Sequence, residues 1–236
     1  VLRDAANNYI ALLHETEAGC FVLAGADIST GEAFYASYKG DTAAQQILDE
    51  LYRRMAAEIL MTACFSLTDA VREFAAQRLP HCAIGAAAPE GNDALLMQHF
   101  RAEEIPTDAG ARMAVATLLR YLHDTVRTDL SQINRLSFLD AADTMQLDTY
   151  TLRNLEITRS LRDGGKKNTL FDVLDFTRTP MGTRLLKSWL EHPLLVPHRI
   201  DARLDAVAEL VEQSSLRTSL REQLRSIYDF ERLLTR

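Results

Sequence analysis

The stretch Gly164–Lys167, with sequence Gly-Gly-Lys-Lys, has the composition of a phosphate-binding loop. Such a loop needs a glycine, four intervening residues and then Gly-Lys-Ser/Thr, placed between a strand and a helix so that backbone N–H groups surround the phosphate. Here Ser160 stands where the first glycine is required, and Asn168 follows Lys167. We therefore interpret the stretch as a solvated turn between helices.

Four carboxylates in the first half raise the question of a metal-dependent nuclease, which holds two metal ions on carboxylates that converge from strand ends and a helix. Asp27 and Glu32 lie near a predicted hairpin tip, and Asp69 and Glu73 lie on a predicted helix. An aspartate that accepts N–H groups within its own turn explains Asp27 more simply. No carboxylate stands inside an apolar strand, where a first metal ligand would be needed. A ribonuclease-H-like nuclease is therefore only an alternative hypothesis.

The histidines and possible nucleophiles give no better candidate for catalysis. The six histidines show neither an i, i+4 pair nor the carboxylate spacing of a zinc site; they are His14, His81, His99, His123, His192 and His198. No serine stands in a Gly-x-Ser-x-Gly setting. We expect no catalytic residue, no metal and no cofactor site in this chain, which is therefore predicted not to be an enzyme by itself.

Length and composition indicate a globular protein of two modest domains. The chain has 236 residues, 47% of them hydrophobic and 25% charged. No apolar run approaches the roughly 18 residues of a membrane span, and no signal segment is evident. The chain lacks an initiator methionine and stops within a helical pattern, so we expect a piece of a longer protein.

Charge and cysteine content narrow the partners and the compartment. Residues 1–130 carry 10 basic and 18 acidic side chains, a net charge of −8, whereas residues 131–236 carry 16 and 15, a net charge of +1. This balance argues against a dedicated nucleic-acid-binding domain, which needs clustered Lys and Arg. Cys20, Cys64 and Cys82 lack metal-binding or redox spacing. We expect reduced, buried thiols in a cytoplasmic protein.

The first half alternates predicted strands and helices. Three strands form an antiparallel meander, with Gly31 at a turn position that needs a positive φ. Further elements follow in alternation: a helix from an Asp41 N-cap to about Met55, a strand at 58–61, a helix ending at Arg78, the strand "CAIGA", the helix "NDALLMQHF" and a long helix at about 108–126. This order predicts an α/β domain with a mixed sheet flanked by helices.

The second half is predicted to be mostly helical. Asp148 is expected to cap a short helix, and Thr169 a second one. Thr179 is a third N-cap, and Pro180 occupies the first position of the helix that follows. Apolar residues at helical spacing continue to the end of the chain, in the stripes Ile200–Val211 and Leu216–Ile227.

The helix that begins at Thr179 has one apolar stripe, formed by Met181, Leu185, Leu186, Trp189 and Leu190. We expect this stripe to be core and not a base-stacking platform, because leucines surround the tryptophan. Arg184, Lys187 and Glu191 are expected to face water. Gly182 in the first turn costs about 1 kcal/mol relative to alanine, which indicates close packing there.

Three segments of the second half resemble a known family. "MQLDTYTLRNLEIT" (residues 145–158), "NTLFDVLDFTRTPMGTRLLKSWLEHPL" (168–194) and "YDFERLLTR" (228–236) are similar in order and spacing to the core, or lever, region of MutS DNA mismatch-repair proteins. The first half, with its meander and "DISTGEA" (27–33), resembles the MutS connector domain in element order. The resemblance covers essentially the whole chain.

This resemblance implies a domain organisation and a role. Residues 1–130 would be a connector with a ribonuclease-H-like fold, ending in the linking helix at about 108–126, and residues 131–236 the first part of the lever. The family's mismatch reader, with its Phe-x-Glu wedge, and its ATPase lie outside this chain. We therefore expect a non-catalytic part that transmits conformational change. ATP and Mg would be used elsewhere in a homodimeric parent protein. The charge balance, separately, predicts weak DNA binding by this part.

The resemblance also selects residues to examine. The expected hub of the lever consists of the motif residues Asp148, Asn154, Leu155, Glu156, Thr179, Pro180, Met181, Gly182 and Trp189. The connector of the family is implicated in docking MutL, and the helix face with Asp93, Gln98 and His99 is a candidate surface. A generic module whose helices bind a partner is the second alternative, besides the nuclease.

Overall fold

The computed structural model describes residues 8–125, 130–140 and 143–233. These residues form two compact units, one extending to Leu139 and the other from Asp140 to Leu233. We call them the sheet unit and the helical unit. The sheet unit extends nine residues beyond the predicted boundary at 130, because its last strand lies between the two positions.

The sheet unit contains a six-stranded mixed sheet, counted over the described residues. Strands β1 (Tyr9–Glu17), β2 (Cys20–Asp27) and β3 (Glu32–Lys39) form the predicted antiparallel meander. β4 (Glu58–Thr62) pairs with β1, β5 (Ala83–Ala87) with β4 and β6 (Arg135–Phe138) with β3, all in parallel. The strand order is β5-β4-β1-β2-β3-β6. Parallel neighbours require crossover connections, which the helices supply.

Four helices of the sheet unit connect or flank the strands: α1 (Ala43–Arg54), α2 (Thr68–Arg78), α3 (Asp93–His99) and α4 (Ala109–Thr125). α1 begins one residue later than expected, since Thr42 and not Asp41 occupies the N-cap. Asn92 caps α3, and its Oδ1 accepts the N–H of Leu95 at 3.1 Å. The predicted end of α4 near Val126 lies outside the described residues.

The central strands β1, β2 and β4 are buried on both faces, as expected for an α/β domain, whereas the edge strands β5 and β6 are largely exposed. Along β1 the side chains alternate, so that Ile10 and Leu12 join a core with α3 and α4. Leu13 joins a second core with α1 and α2. The result is a three-layer arrangement of helices, sheet and helices.

The turn between β2 and β3 requires a glycine. Gly31 has φ +75°, and a Cβ atom there would lie 2.4 Å from the carbonyl oxygen of Gln132. Both the left-handed backbone and the close approach exclude a side chain. The sequence prediction of a positive φ at Gly31 is confirmed.

The three cysteines are free thiols, as expected, but none is buried. Cys64 is exposed, and Cys20 and Cys82 are partly exposed. The expectation that they act as buried core residues is therefore wrong. Cys64 lies in the loop after β4, beyond the apolar run of that strand.

The helical unit contains six helices among its described residues: α5 (Thr149–Asn154), α6 (Leu170–Leu174), α7 (Pro180–Glu191), α8 (Pro197–Glu212), α9 (Ser214–Leu224) and α10 (Phe230–Leu233). An isolated antiparallel bridge joins Thr144 to Leu194. Among residues 143–233 the buried hydrophobic side chains are Leu152, Ile157 and Phe171. Much of the apolar surface of this unit is therefore in contact with solvent.

No helix within the described residues is both long enough and apolar enough to cross a lipid bilayer.

Candidate functional site

Asp27, the first of the possible metal ligands, is fully buried and occupied by local hydrogen bonds. Its Oδ1 accepts the backbone N–H and the hydroxyl of Ser29 at 2.8 and 2.6 Å, and its Oδ2 accepts the N–H of Asn8 at 3.0 Å. The carboxylate therefore shapes the β2–β3 turn, as predicted. Over the described parts of the chain, no group of three or more His, Cys, Asp or Glu side chains is placed to hold a metal ion.

The Gly164–Lys167 stretch forms a turn, as predicted, and not a phosphate cradle. The Gly164 N–H donates to the Ser160 carbonyl at 2.9 Å, and the Ser160 N–H donates to the Gly165 carbonyl at 2.8 Å. The Lys166 ammonium pairs with Asp175 and lies 4.6 Å from the ring centre of Phe171. This lysine is therefore held within the helical unit.

Asp148 caps α5 as the sequence predicted. Its Oδ1 accepts the N–H of Thr151 at 2.6 Å, a charge-assisted bond at the positive end of the helix. This backbone hydrogen bond lowers the pKa of the Asp148 carboxyl. The short helix thus has a strong start despite being only six residues long.

The end of α5 is joined to the start of α6 through Glu156. Glu156 has a φ of +46°, and its carbonyl accepts the N–H of Leu170 at 3.2 Å. Its side chain accepts the N–H of Leu161 at 2.6 Å. Asn154 is the last residue of α5 and is exposed, and Leu155 is 64% exposed. Within this motif the glutamate, and not its apolar neighbour, makes the structural contacts.

The start of α7 is built as predicted. The Thr179 hydroxyl accepts the N–H of Gly182 at 3.0 Å, and Pro180 occupies the first turn. A Cβ atom at Gly182 would lie 3.1 Å from that hydroxyl oxygen and 3.5 Å from the Thr177 Cβ. The close packing expected at Gly182 is therefore with the two threonine side chains of the cap.

Arg184 does not face water, in contrast to the prediction. Its side chain is 9% exposed and forms two parallel hydrogen bonds with Asp229, at 2.7 and 2.8 Å. It also contacts Glu231 at 2.5 Å. Hydrogen bonds from Arg184 lower the pKa of Asp229. This fork-shaped contact, possible for arginine but not for lysine, fixes α7 beside the α9–α10 junction.

Glu191 is also buried instead of solvated. It is 8% exposed, and its Oε1 accepts the hydroxyl of Thr158 at 3.0 Å. Lys187 approaches the same oxygen at 3.7 Å. The contact links the end of α7 to the segment after α5.

Trp189 is not a core residue, and the prediction that its stripe is buried is wrong. Trp189 is 40% exposed and Leu185 is 52% exposed, and Met181 is only partly buried. The Arg203 guanidinium lies 3.8 Å from the centre of the indole ring, in cation–π contact. The helix therefore buries a polar side, through Arg184 and Glu191, and leaves part of its apolar side open to solvent.

The three candidate partner residues on α3 have different surroundings. Asp93 pairs with Arg112, and His99 donates from Nδ1 to the Ile133 carbonyl at 3.0 Å. Gln98 is exposed, and its neighbour Met97 is 68% exposed. Asp93 and Gln98 are thus both exposed, and Gln98 has an apolar neighbour beside it, whereas His99 is partly buried.

A buried charge network in the sheet unit was missed by the sequence analysis. Glu50 bonds both Arg53 and Arg54, at 2.7 and 2.9 Å. Arg54 continues to Glu32 and to the hydroxyl of Tyr9, each at 3.0 Å. Burial raises the pKa of Tyr9. The i, i+4 spacing of Glu50 and Arg54 was the signal available in the sequence.

Comparison with known proteins agrees with the resemblance seen in the sequence. A family model described as MutS domain III matches residues 150–236. The full chain is 37% identical to the DNA mismatch repair protein MutS of Symbiobacterium thermophilum and covers 28% of it. The MutS protein of Pelotomaculum thermopropionicum is 34% identical over 98% of this chain, which covers 28% of that protein. The MutS protein of Brevibacillus brevis is 35% identical over 100% of this chain, which covers 26% of that protein. The chain thus spans about a quarter of the length of these curated relatives.

Proposed function

The chain belongs to the MutS family, and we propose that it is a non-catalytic part of a mismatch-repair ATPase that transmits conformational change between its DNA-binding and ATP-hydrolysing parts. The observation that carries this proposal is the match along 98–100% of the chain to proteins named for DNA mismatch repair. The sheet unit would be the connector, and the helical unit the first part of the lever. The meander followed by parallel strands supports a ribonuclease-H-like connector.

The helical unit has contacts suited to transmission. Coupling between distant sites needs packed elements that keep their geometry or switch between discrete arrangements. Arg184 holds α7 to the α9–α10 junction through two carboxylates, and Glu191 holds the other end of α7 to Thr158. A displacement of one of these segments would therefore move the others.

The exposed apolar stripe of the helical unit supports a role within a larger protein. Leu204, Val207 and Val211 on α8 are 58–65% exposed, and Leu216 and Leu220 on α9 are 45% and 40% exposed. Apolar surface of this kind is covered in a stable assembly. We propose that further parts of the same mismatch-repair protein pack there.

The expected partners and cofactors follow from the same proposal. ATP and Mg would bind the ATPase part of the parent protein, which would be a cytoplasmic homodimer, and mismatched DNA would be read by another part. MutL would dock on the sheet unit, whose acidic charge favours an oppositely charged partner.

The transmission role can be tested with Arg184→Lys in the full-length protein. Lysine keeps the charge but loses the two-pronged contact with Asp229, so we expect ATP-triggered release from mismatched DNA to weaken at least about five-fold, as for a coupling free energy of about 1 kcal/mol. Mismatch affinity without ATP and ATP hydrolysis without DNA should stay close to wild type. Arg72→Lys on the sheet unit is the matched control.

Two results would contradict the proposal. One is unchanged ATP-triggered release in Arg184→Lys. The other is cleavage of labelled DNA by the isolated chain with Mg²⁺ or Mn²⁺, which would favour the nuclease alternative.

MutL docking on α3 has its own test. Asp93→Lys combined with Gln98→Lys reverses the local charge, and we expect it to reduce capture of the MutL N-terminal domain at least about five-fold, because charged rims govern association. Asp69→Lys with Glu73→Lys makes the same kind of change on α2, where both residues are exposed. Equal capture by both variants would place the docking site elsewhere.

A further inference from the structure

Three arginines on the helical unit form what we call the arginine cluster: Arg178, Arg221 and Arg225. Arg178 precedes the N-cap of α7, Arg221 lies in the last turn of α9, and Arg225 is the C-cap of α9. Arg178 and Arg225 are exposed, and Arg221 is partly exposed. The positive charge of Arg221, and to a smaller extent that of Arg225, lowers the pKa of the Arg178 guanidinium. Arg221 and Arg225 are thus close enough to Arg178 for their charges to repel its charge.

The fold keeps these charges together. The Arg184–Asp229 bridge holds the first half of α7 against the segment that follows α9. Arg178 lies six residues before Arg184, and Arg225 lies four residues before Asp229. The Arg184–Asp229 bridge therefore brings the segment that contains Arg178 close to the segment that contains Arg225. Arg221 and Arg225 are one helical turn apart, about 6 Å along the axis.

Among the described residues, no carboxylate is hydrogen-bonded or ion-paired to the arginine cluster. None of its three guanidinium groups makes a hydrogen bond or ion pair with another described residue. Some other arginines of the unit are bound, since Arg199 pairs with Asp143 and Arg217 donates to backbone carbonyls of α8. Like charges held together without a partner destabilise the protein, and a multivalent anion would relieve that cost.

Two neighbouring features favour a nucleic acid over an acidic peptide. The positive end of the α7 dipole lies directly after Arg178, which suits a phosphate group. Phe176, two residues before Arg178, is 71% exposed, and Tyr228, three residues after Arg225, is 76% exposed. Exposed aromatic rings beside arginines are typical of surfaces that hold nucleic-acid strands.

We propose that the arginine cluster binds the phosphate backbone of DNA, as a contact additional to the mismatch-reading part of the parent protein. The contact is independent of base sequence, because guanidinium groups on a surface recognise phosphates and not base edges. With three charges it is weak, near the 10⁻⁴ M end of the range of about 10⁻⁴–10⁻⁶ M that is usual for non-specific binding. The proposal does not depend on the transmission role, since it concerns a direct contact of this chain.

The experiment compares two variants of the full chain with the same net charge. One is Arg178→Gln/Arg221→Gln/Arg225→Gln, and the control is Arg72→Gln/Arg101→Gln/Arg135→Gln, three exposed arginines of the sheet unit. Fluorescence anisotropy with a labelled duplex and a labelled single strand is measured between about 50 and 200 mM salt. We expect the cluster variant to lose at least about ten-fold in affinity and its salt slope to fall by about 2–3, and the control to stay within about two-fold.

Two further arms keep the proposal open to refutation. Because the three side chains make no hydrogen bond or ion pair with another described residue, the cluster variant should keep the wild-type circular dichroism and unfolding midpoint. A variant with lysine at all three positions keeps the charge and should retain most of the DNA binding. Tighter binding of the single strand than of the duplex would assign the contact to an unpaired strand, and the reverse to duplex DNA. Equal losses in both glutamine variants, or competition by polyglutamate as strong as by DNA, would overturn the proposal.

Discussion

Replacing Glu50 by alanine is expected to destabilise the sheet unit by about 3–5 kcal/mol, the usual cost of removing one member of a buried ion network. Glu50 is shared by Arg53 and Arg54, and the side chains of Glu50 and Arg53 are each only 4% exposed. Without the carboxylate, two guanidinium groups stay in the interior with less negative charge around them. Coulomb repulsion and lost hydrogen bonds then act together.

Further contacts of Arg54 make this position sensitive. Its guanidinium lies 4.0 Å from the ring centre of Phe34 and 5.0 Å from that of Tyr9, and it also bonds Glu32. Because these residues belong to β1 and β3, the network ties α1 to the sheet. A shift of Arg54 would disturb the packing of both strands.

Hydrogen exchange of the amides in β1–β3 measures this loss within the sheet unit, without assuming that the two units unfold together. Glu73→Ala is the matched control, since Glu73 is an exposed helical glutamate that accepts one bond from Gln77. We expect a change within about 0.5 kcal/mol for the control. If the β1–β3 amides of Glu50→Ala are as protected from hydrogen exchange as those of the control, the charge network does not contribute to the stability of the sheet unit.

Arg184→Leu is expected to destabilise the helical unit by about 2–4 kcal/mol, because it leaves Asp229, 17% exposed, without its two-pronged partner. Arg232 approaches Asp229 at 3.9 Å and compensates only in part. Trp189 is the only tryptophan of the chain and lies on α7, so its fluorescence follows the unfolding of this unit in urea.

The same variant should change the pH dependence. Arg184 lowers the folded pKa of Asp229 below its ordinary 3.8, so this stabilisation is present above pH 3.8 and is lost as the pH falls through the lowered value. The difference in the free energy of unfolding between wild type and Arg184→Leu should therefore become smaller as the pH falls below 3.8 and through the lowered pKa of Asp229. Arg199→Leu is the control: its pair with Asp143 is 48% and 45% exposed, and its loss should stay below about 1 kcal/mol. Equal losses for the two variants would contradict the assignment.

Local features of the fold were predictable from the sequence. The meander, the positive φ at Gly31 and the caps at Asp148 and Thr179 are specified by residues within a few positions of one another. Each depends on residues close in sequence, such as a glycine in a turn or a capping side chain three residues before the N–H that it accepts. The structure confirms all of them.

The covered side of a helix was not predictable in the same way. The spacing of Leu185 and Trp189 shows that they share a face, but which face is covered depends on distant segments. Asp229 and Glu231 lie more than 40 residues after Arg184, and their contacts with Arg184 bury the polar face of α7. The network around Glu50 has the same origin, because Tyr9 and Glu32 are distant in sequence from α1.

The pairing of β6 with β3 has a consequence for biosynthesis. Glu32 stands opposite Arg135, so β3 remains an unpaired edge strand until 103 more residues have been translated after Glu32. At roughly 5–20 residues per second, this leaves the β3 edge of the sheet unpaired for about 5–20 s on the ribosome. We expect a nascent chain stalled before residue 135 to bind chaperones at the unpaired edge of β3. A nascent chain stalled after β6 has left the exit tunnel should no longer bind them there.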